Sequence, residues 1–137
     1  MARGQERGAG EGMKELVAVF CAGGLGACLR LVVGRGVDTV FAAQLPNAGT
    51  LAANLIGCFV IGLMATLLPD GVLRVAILTG LLGGFTTYSA FALLTVNMAT
   101  SGRWGLVAAQ LLLHLVGGVI CVLLGIAAAR AIGGGAG

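Results

Sequence analysis

"GLLGGFTTYSAF", residues 80–91, lies within a long apolar run, residues 72–99. It sets Gly83 and Gly84 directly before a cluster of hydroxyl groups, Thr86, Thr87 and Ser89, interleaved with two large rings, Tyr88 and Phe91. Glycine favours helix less than any residue but proline, and paired threonines add to the local preference against a regular helix. The stretch therefore predicts a helix that breaks where it would otherwise run on. A break leaves backbone N–H and C=O groups without intrahelical partners, and lipid cannot satisfy them. They must face protein, an ion or a wet cavity.

The surroundings say that the break lies at membrane depth. Of the 137 residues, 58% are hydrophobic and only 9% are charged, a balance that a soluble domain of this size could not cover with polar surface. Four apolar stretches, residues 16–33, 49–68, 72–99 and 104–132, each approach or exceed the roughly 20 residues that cross a bilayer core as a helix. An all-α, integral membrane four-helix subunit with a broken third helix follows. Arg3, Arg7 and Lys14 precede the first stretch as a basic leader would, but bulky Phe20 stands before Cys21 and the apolar run continues, so a retained helix is expected over a cleaved signal.

Three loops are expected: about residues 34–47 with Asp38, Gln44 and Pro46, then "PDG" (69–71) and "SGRWG" (101–105). Such short connections place sequential helices side by side. Polar, glycine-rich residues 1–13 and the end of the chain, 133–137, are expected to be disordered tails around a single domain, 14–132. Trp104 suits a membrane interface. Arg3, Arg7, Lys14, Arg74 and Arg130 fall on one side and Arg30, Arg35 and Arg103 on the other, so charge specifies orientation weakly. A chain that inserts both ways up can form an antiparallel, dual-topology dimer.

Glycine accounts for 25 residues of 137, against a usual share near 7%. In lipid, close backbone contact rather than hydrophobic burial joins helices. Ala22 with Gly26, Ala53 with Gly57 and Gly80 with Gly84 supply the small-xxx-small spacing; packing within one subunit explains them, and an additional subunit interface is the favoured extension. The cysteines Cys21, Cys28, Cys58 and Cys121 lack the spacing and company of a metal site and read as small packing residues.

Chemistry is bounded as much by what is missing. Between Thr39 and Gly137 the only acidic residue is Asp70, in a loop, which disfavours proton-coupled cation export through a membrane carboxylate. No nucleophile and base are suggestively spaced around the lone histidine, His114, so an enzyme is not expected and His114 reads as a hydrogen-bonded packing residue. No nucleic-acid partner is expected. Asn54 and the third-helix hydroxyls offer donors without charge, a lining that suits a small anion that must bind and then leave. Aromatic edges carry the positive rim of the ring quadrupole, so Tyr88 and Phe91 could present edges to such an ion.

The segments "GGLGACLR" (23–30), "GTLAANLIGCF" (49–59) and "GLLGGFTTYSAF" (80–91) resemble, in order and on successive helices, the three motifs of the CrcB/Fluc fluoride channel family. The likeness runs from about residue 16 to residue 131. It implies passive fluoride export through pores at the interface of an antiparallel homodimer in the inner (plasma) membrane, with a heterodimer with a paralogous subunit as the alternative. By matching position, Asn54 would be the pore asparagine, Arg30 the vestibule arginine, Tyr88 and Phe91 the two aromatic positions, and Ser89 part of the polar track; Thr87 is a further candidate pore residue. Backbone carbonyls of Gly83 and Thr86 would hold a structural sodium ion. Tyr88 adds a hydroxyl where the family usually has a bare ring, and Ala90 replaces its usual threonine. A small multidrug-exporter-like transporter and a non-conducting membrane assembly subunit are the competing readings.

Overall fold

The computed structural model describes residues 2–41 and 47–134. Helix α1 (Ala2–Phe41) is followed by α2 (Ala48–Leu67). The third span divides into α3 (residues 72–85) and α4 (Tyr88–Thr100). Helix α5 (residues 104–134) closes the domain. Four spans of 32, 20, 29 and 30 residues, Gly10–Phe41, Ala48–Leu67, Val72–Thr100 and Trp104–Gly133, are long and apolar enough to cross a bilayer. The chain is a multi-pass membrane protein.

Two boundaries differ from the sequence reading. Helix α1 already includes residues 2–13, where a disordered tail was expected. It also continues past Gly34 to Phe41, through residues assigned to the first loop. Contacts made late in α1 account for the second difference: the Thr39 hydroxyl bonds the Gly36 carbonyl at 2.7 Å, and Asp38 Oδ1 accepts the Gly49 N–H at 2.8 Å. That carboxylate satisfies one of the free donors at the start of α2, whose own N-cap residue, Asn47, makes no side-chain bond there. Gln44, Pro46 and residues 135–137 lie outside the described residues.

Small residues let backbones meet. A Cβ on Gly84 of α3 would run into the Gly23 carbonyl of α1, and one on Gly26 into the backbone of Leu81 and Phe85. Between α2 and α5, Gly62 abuts Val122 and Gly125 abuts Phe59 and Leu63, again backbone against backbone. The small-residue pairs picked out from the sequence are thus used inside the subunit. Gly80 touches Ala22, Gly57 lies against the Thr86 methyl, and Ala53 is fully buried. What remains outward is large and apolar: Phe20 is 81% exposed and Val32 69%. A bilayer or another membrane chain covers such a surface.

Residues 76–82 of α3 and 113–117 of α5 form wide, π-type turns, a local geometry frequent at functional sites. Leu78 and Leu82 from the first and His114 and Leu115 from the second border the same cleft.

Candidate functional site

The third span breaks at Thr86 and Thr87, both with extended backbone (φ −87°, ψ 156° and φ −148°, ψ 111°). The expected interruption is present, and its free backbone groups are taken up individually. The Thr86 N–H and hydroxyl both donate to the Leu82 carbonyl at 2.9 Å. Asn54, reaching from α2, accepts the Thr87 N–H on Oδ1 at 2.8 Å and donates from Nδ2 to the Thr87 carbonyl at 3.2 Å. The Thr87 hydroxyl accepts the Ala90 N–H at 3.3 Å and so caps α4. From α1, Arg30 Nε donates to the Gly84 carbonyl at 3.2 Å. Among the described residues, the carbonyls of Gly83, Phe85 and Thr86 accept no hydrogen bond.

Asn54, Thr86, Thr87, Tyr88, Phe91 and His114 line a cleft of about 300 Å³ beside the break; apolar side chains and Gly57 and Gly83 complete its walls. Among the described residues its polar groups are amide, hydroxyl, imidazole and the Cys58 thiol, with no carboxylate, lysine or arginine. The Tyr88 and Phe91 ring centroids lie 5.5 Å apart, tilted by 54°, and Phe91 in turn lies 4.4 Å from the His114 ring, tilted by 33°. Phe91 is buried, whereas Tyr88 is 77% exposed and faces outward from the single chain.

Two of the named residues stand apart from this cleft. Arg30 lines a second cavity of about 170 Å³ with Arg35, Asp38 and Thr50. Thr87 borders both cavities. Ser89 is exposed, its hydroxyl 3.2 Å from that of Thr87. The hydroxyls are also not equivalent. Among residues 86–95, the hydroxyls of Thr86 and Thr95 bond the carbonyls four residues back, whereas those of Thr87 and Ser89 bond no backbone acceptor among the described residues.

The sequence reading missed the part taken by His114. It is hydrogen-bonded, as expected, with Nδ1 3.0 Å from the Gln110 carbonyl. Yet its ring lines the cleft, and its Nε2 is buried without a partner among the described residues. No spacing in the sequence joins residue 91 to residue 114; only the docking of α4 against α5 brings them together.

Fold and site together define a small helical membrane protein of four spans, built around an interrupted helix whose break opens onto an uncharged cleft. The chain belongs to the CrcB family: residues 17–126 match the family described as "CrcB-like protein, Camphor Resistance (CrcB)". Among its relatives, a "Fluoride-specific ion channel FluC" of Chloroflexus aurantiacus is 35% identical over 127 residues, covering 89% of this chain and 100% of the relative. Proteins of the same name from Burkholderia lata and Polynucleobacter asymbioticus are 40% and 37% identical. Each covers 85% of this chain, with 93% and 96% of the relative matched.

Proposed function

We propose that this chain is a fluoride-selective channel for passive export of fluoride, assembled as an antiparallel dimer. The observation that carries the reading is the break at Thr86–Thr87, braced by Asn54 and opening onto a cleft whose polar groups are uncharged. Fluoride is small and strongly hydrated, and moving an unpaired ion into low dielectric costs on the order of tens of kcal/mol. Donors must replace its water at every step. One Asn54 N–H is committed to the Thr87 carbonyl; the second hydrogen of that amide, the Thr87 and Ser89 hydroxyls and the Tyr88 and Phe91 ring edges are the groups offered to the ion. Arg30, in the neighbouring cavity, draws anions toward the cleft while its own bond holds the Gly84 carbonyl.

A second copy fits the outward apolar surface, and it also gives exposed Tyr88 and Ser89 something to face. Two copies, homodimeric or paired with a paralogous subunit, would each contribute the unbonded carbonyls of Gly83 and Thr86. Those oxygens suit a hard cation such as sodium, which takes oxygen ligands. When bound, the ion would neutralise the carbonyl dipoles at the break and tie the two broken helices together. A cation exporter fits less well, because the chain has no acidic residue between Thr39 and Gly137 other than loop Asp70.

Fluoride release from liposomes that hold this chain alone is the direct measurement. Rapid release relative to protein-free liposomes is expected, with chloride retained. A rate equal to that of the empty liposomes would sink the reading.

A further inference from the structure

The lone imidazole in the cleft wall is not accounted for by the packing around it. A carbonyl oxygen only accepts, so the 3.0 Å contact between His114 Nδ1 and the Gln110 carbonyl places the ring hydrogen on Nδ1. In the neutral ring Nε2 is then a lone-pair acceptor, and it is buried with no donor to meet it among the described residues. One turn earlier on α5, the Gln110 side-chain nitrogen is also buried and unpaired. An unpaired polar atom of a side chain that lines the cleft, inside a membrane domain, calls for a ligand there, since an unsatisfied buried group costs about 1–3 kcal/mol.

An acceptor beside an anion path repels the anion unless it gains a proton. We propose that His114 is a fluoride-binding residue that takes up a proton together with the ion. A hydronium ion hands its proton to Nε2 and leaves as water, fluoride accepts the resulting N–H hydrogen bond, and when the fluoride moves on the proton returns to water. A permanent cation at this position would hold fluoride too tightly for conduction. A group charged only while the ion is present avoids that.

Among the described residues, the other titratable groups in the cleft are Cys58 from α2 and Tyr88 from α4. The residues that α3 contributes carry no ionisable side chain, and the Arg30 guanidinium of α1 belongs to the adjoining cavity. Further along α5, Cys121 is the next titratable residue.

This inference rests on the fluoride-channel reading, and the experiment separates the two. Fluoride release from liposomes is followed with equal pH inside and outside, from about pH 7.5 to about pH 5.5, across the usual imidazole range. Protein-free liposomes at each pH subtract the leak of neutral hydrogen fluoride. The native chain is expected to release fluoride about threefold or more faster at the acid end, and His114→Gln, whose amide donates but does not titrate, is expected to lose that dependence. Equal pH profiles for the two proteins overturn the proposal.

The chain has a single histidine, so its imidazole gives an unambiguous NMR titration in the native protein, whatever happens to the variant. Fluoride at about ten times its dissociation constant should raise the midpoint by about one pH unit. A midpoint that fluoride leaves in place overturns the site. Absence of release from the native chain at every pH would overturn the channel reading itself, and the midpoint would still decide whether His114 binds the ion.

Discussion

Asn54 and Thr87 form a reciprocal pair across two helices: the Asn54 carbonyl oxygen accepts the Thr87 N–H at 2.8 Å, and its amide nitrogen donates to the Thr87 carbonyl at 3.2 Å. The side chain stands in for a strand of backbone and satisfies both polar groups of the residue at the break. In a bilayer no water can replace it. Asn54→Ala is therefore expected to leave both groups unpaired, lowering stability by about 1–3 kcal/mol and abolishing fluoride release. Asn54→Asp keeps the acceptor and loses the donor, so it should keep part of the stability and still fail in release, because a carboxylate repels the anion. Chemical denaturation in detergent and liposome efflux report the two effects separately, and unaltered efflux from both variants would remove Asn54 from the pathway.

Thr87 also caps α4, through a 3.3 Å bond from the Ala90 N–H to its hydroxyl. Loss of a capping hydroxyl typically costs about 1 kcal/mol. Thr87→Val, nearly the same shape, should therefore lose about that much, whereas Thr87→Ser should retain it. If the hydroxyl also serves the ion, Thr87→Val slows fluoride release far more than a destabilisation of that size explains. Equal release by the Ser and Val variants would confine the hydroxyl to capping.

Much of this organisation is legible in the residues themselves. Gly83, Gly84 and the threonine pair announce an interrupted helix, because low helix propensity and hydroxyl competition are local properties. The break falls at Thr86–Thr87 for that reason. What sequence cannot supply is the long-range half of each contact. Asn54 is 33 residues from Thr87, and Arg30 is 54 from Gly84. The partnering of each is a consequence of how the helices dock. The first loop was misjudged for a related reason: Gly34 and Gly36 are poor helix formers alone, but α1 continues through them to bring Asp38 under the start of α2. His114 shows the same limit, since its cleft-facing ring depends on the packing of α4 on α5.

Backbone contact between α2 and α5 can be tested on α5 alone. A Cβ on Gly125 would meet the Phe59 carbonyl and the Leu63 nitrogen, neither of which can turn aside. At Gly105 nothing lies within 4 Å. Gly125→Ala is expected to separate the helices and lose about 1–3 kcal/mol, as overpacking does. Gly105→Ala should be neutral or gain up to about 1 kcal/mol, the difference in helix propensity. Equal stabilities by denaturation would show that α2 and α5 do not cross as closely as this.

Arg30 shields the Gly84 carbonyl at the end of α3 through its Nε, at 3.2 Å, while its guanidinium borders the second cavity. Lysine has one compact donor head on a flexible stem and cannot reproduce a contact made by the Nε of a rigid fork. Arg30→Lys should keep the positive charge yet lose about 1–2 kcal/mol of stability, and Arg30→Gln should lose both. Release measured at low and high ionic strength distinguishes the two roles. The native chain and the Lys variant should slow as salt screens the arginine-lined cavity, and the Gln variant should be slower at low salt and less sensitive. Identical salt dependence in all three would leave Arg30 a structural role only.

Tyr88 departs from a bare ring, and its side chain is 77% exposed in the single chain, with its centroid 5.5 Å from that of Phe91. Its chemistry can be divided by two substitutions. Tyr88→Phe keeps the ring edge and removes the hydroxyl, so a pathway that relies on the positive rim of the ring predicts release equal to or faster than native. Tyr88→Ala removes the edge as well; with an aromatic pair worth about 0.5–1.5 kcal/mol beyond its buried area, the fold should persist while release falls at least about tenfold. The opposite pattern, with release abolished by Tyr88→Phe, would mean that the phenol hydroxyl takes the place of the one missing at Ala90 and donates directly to the ion.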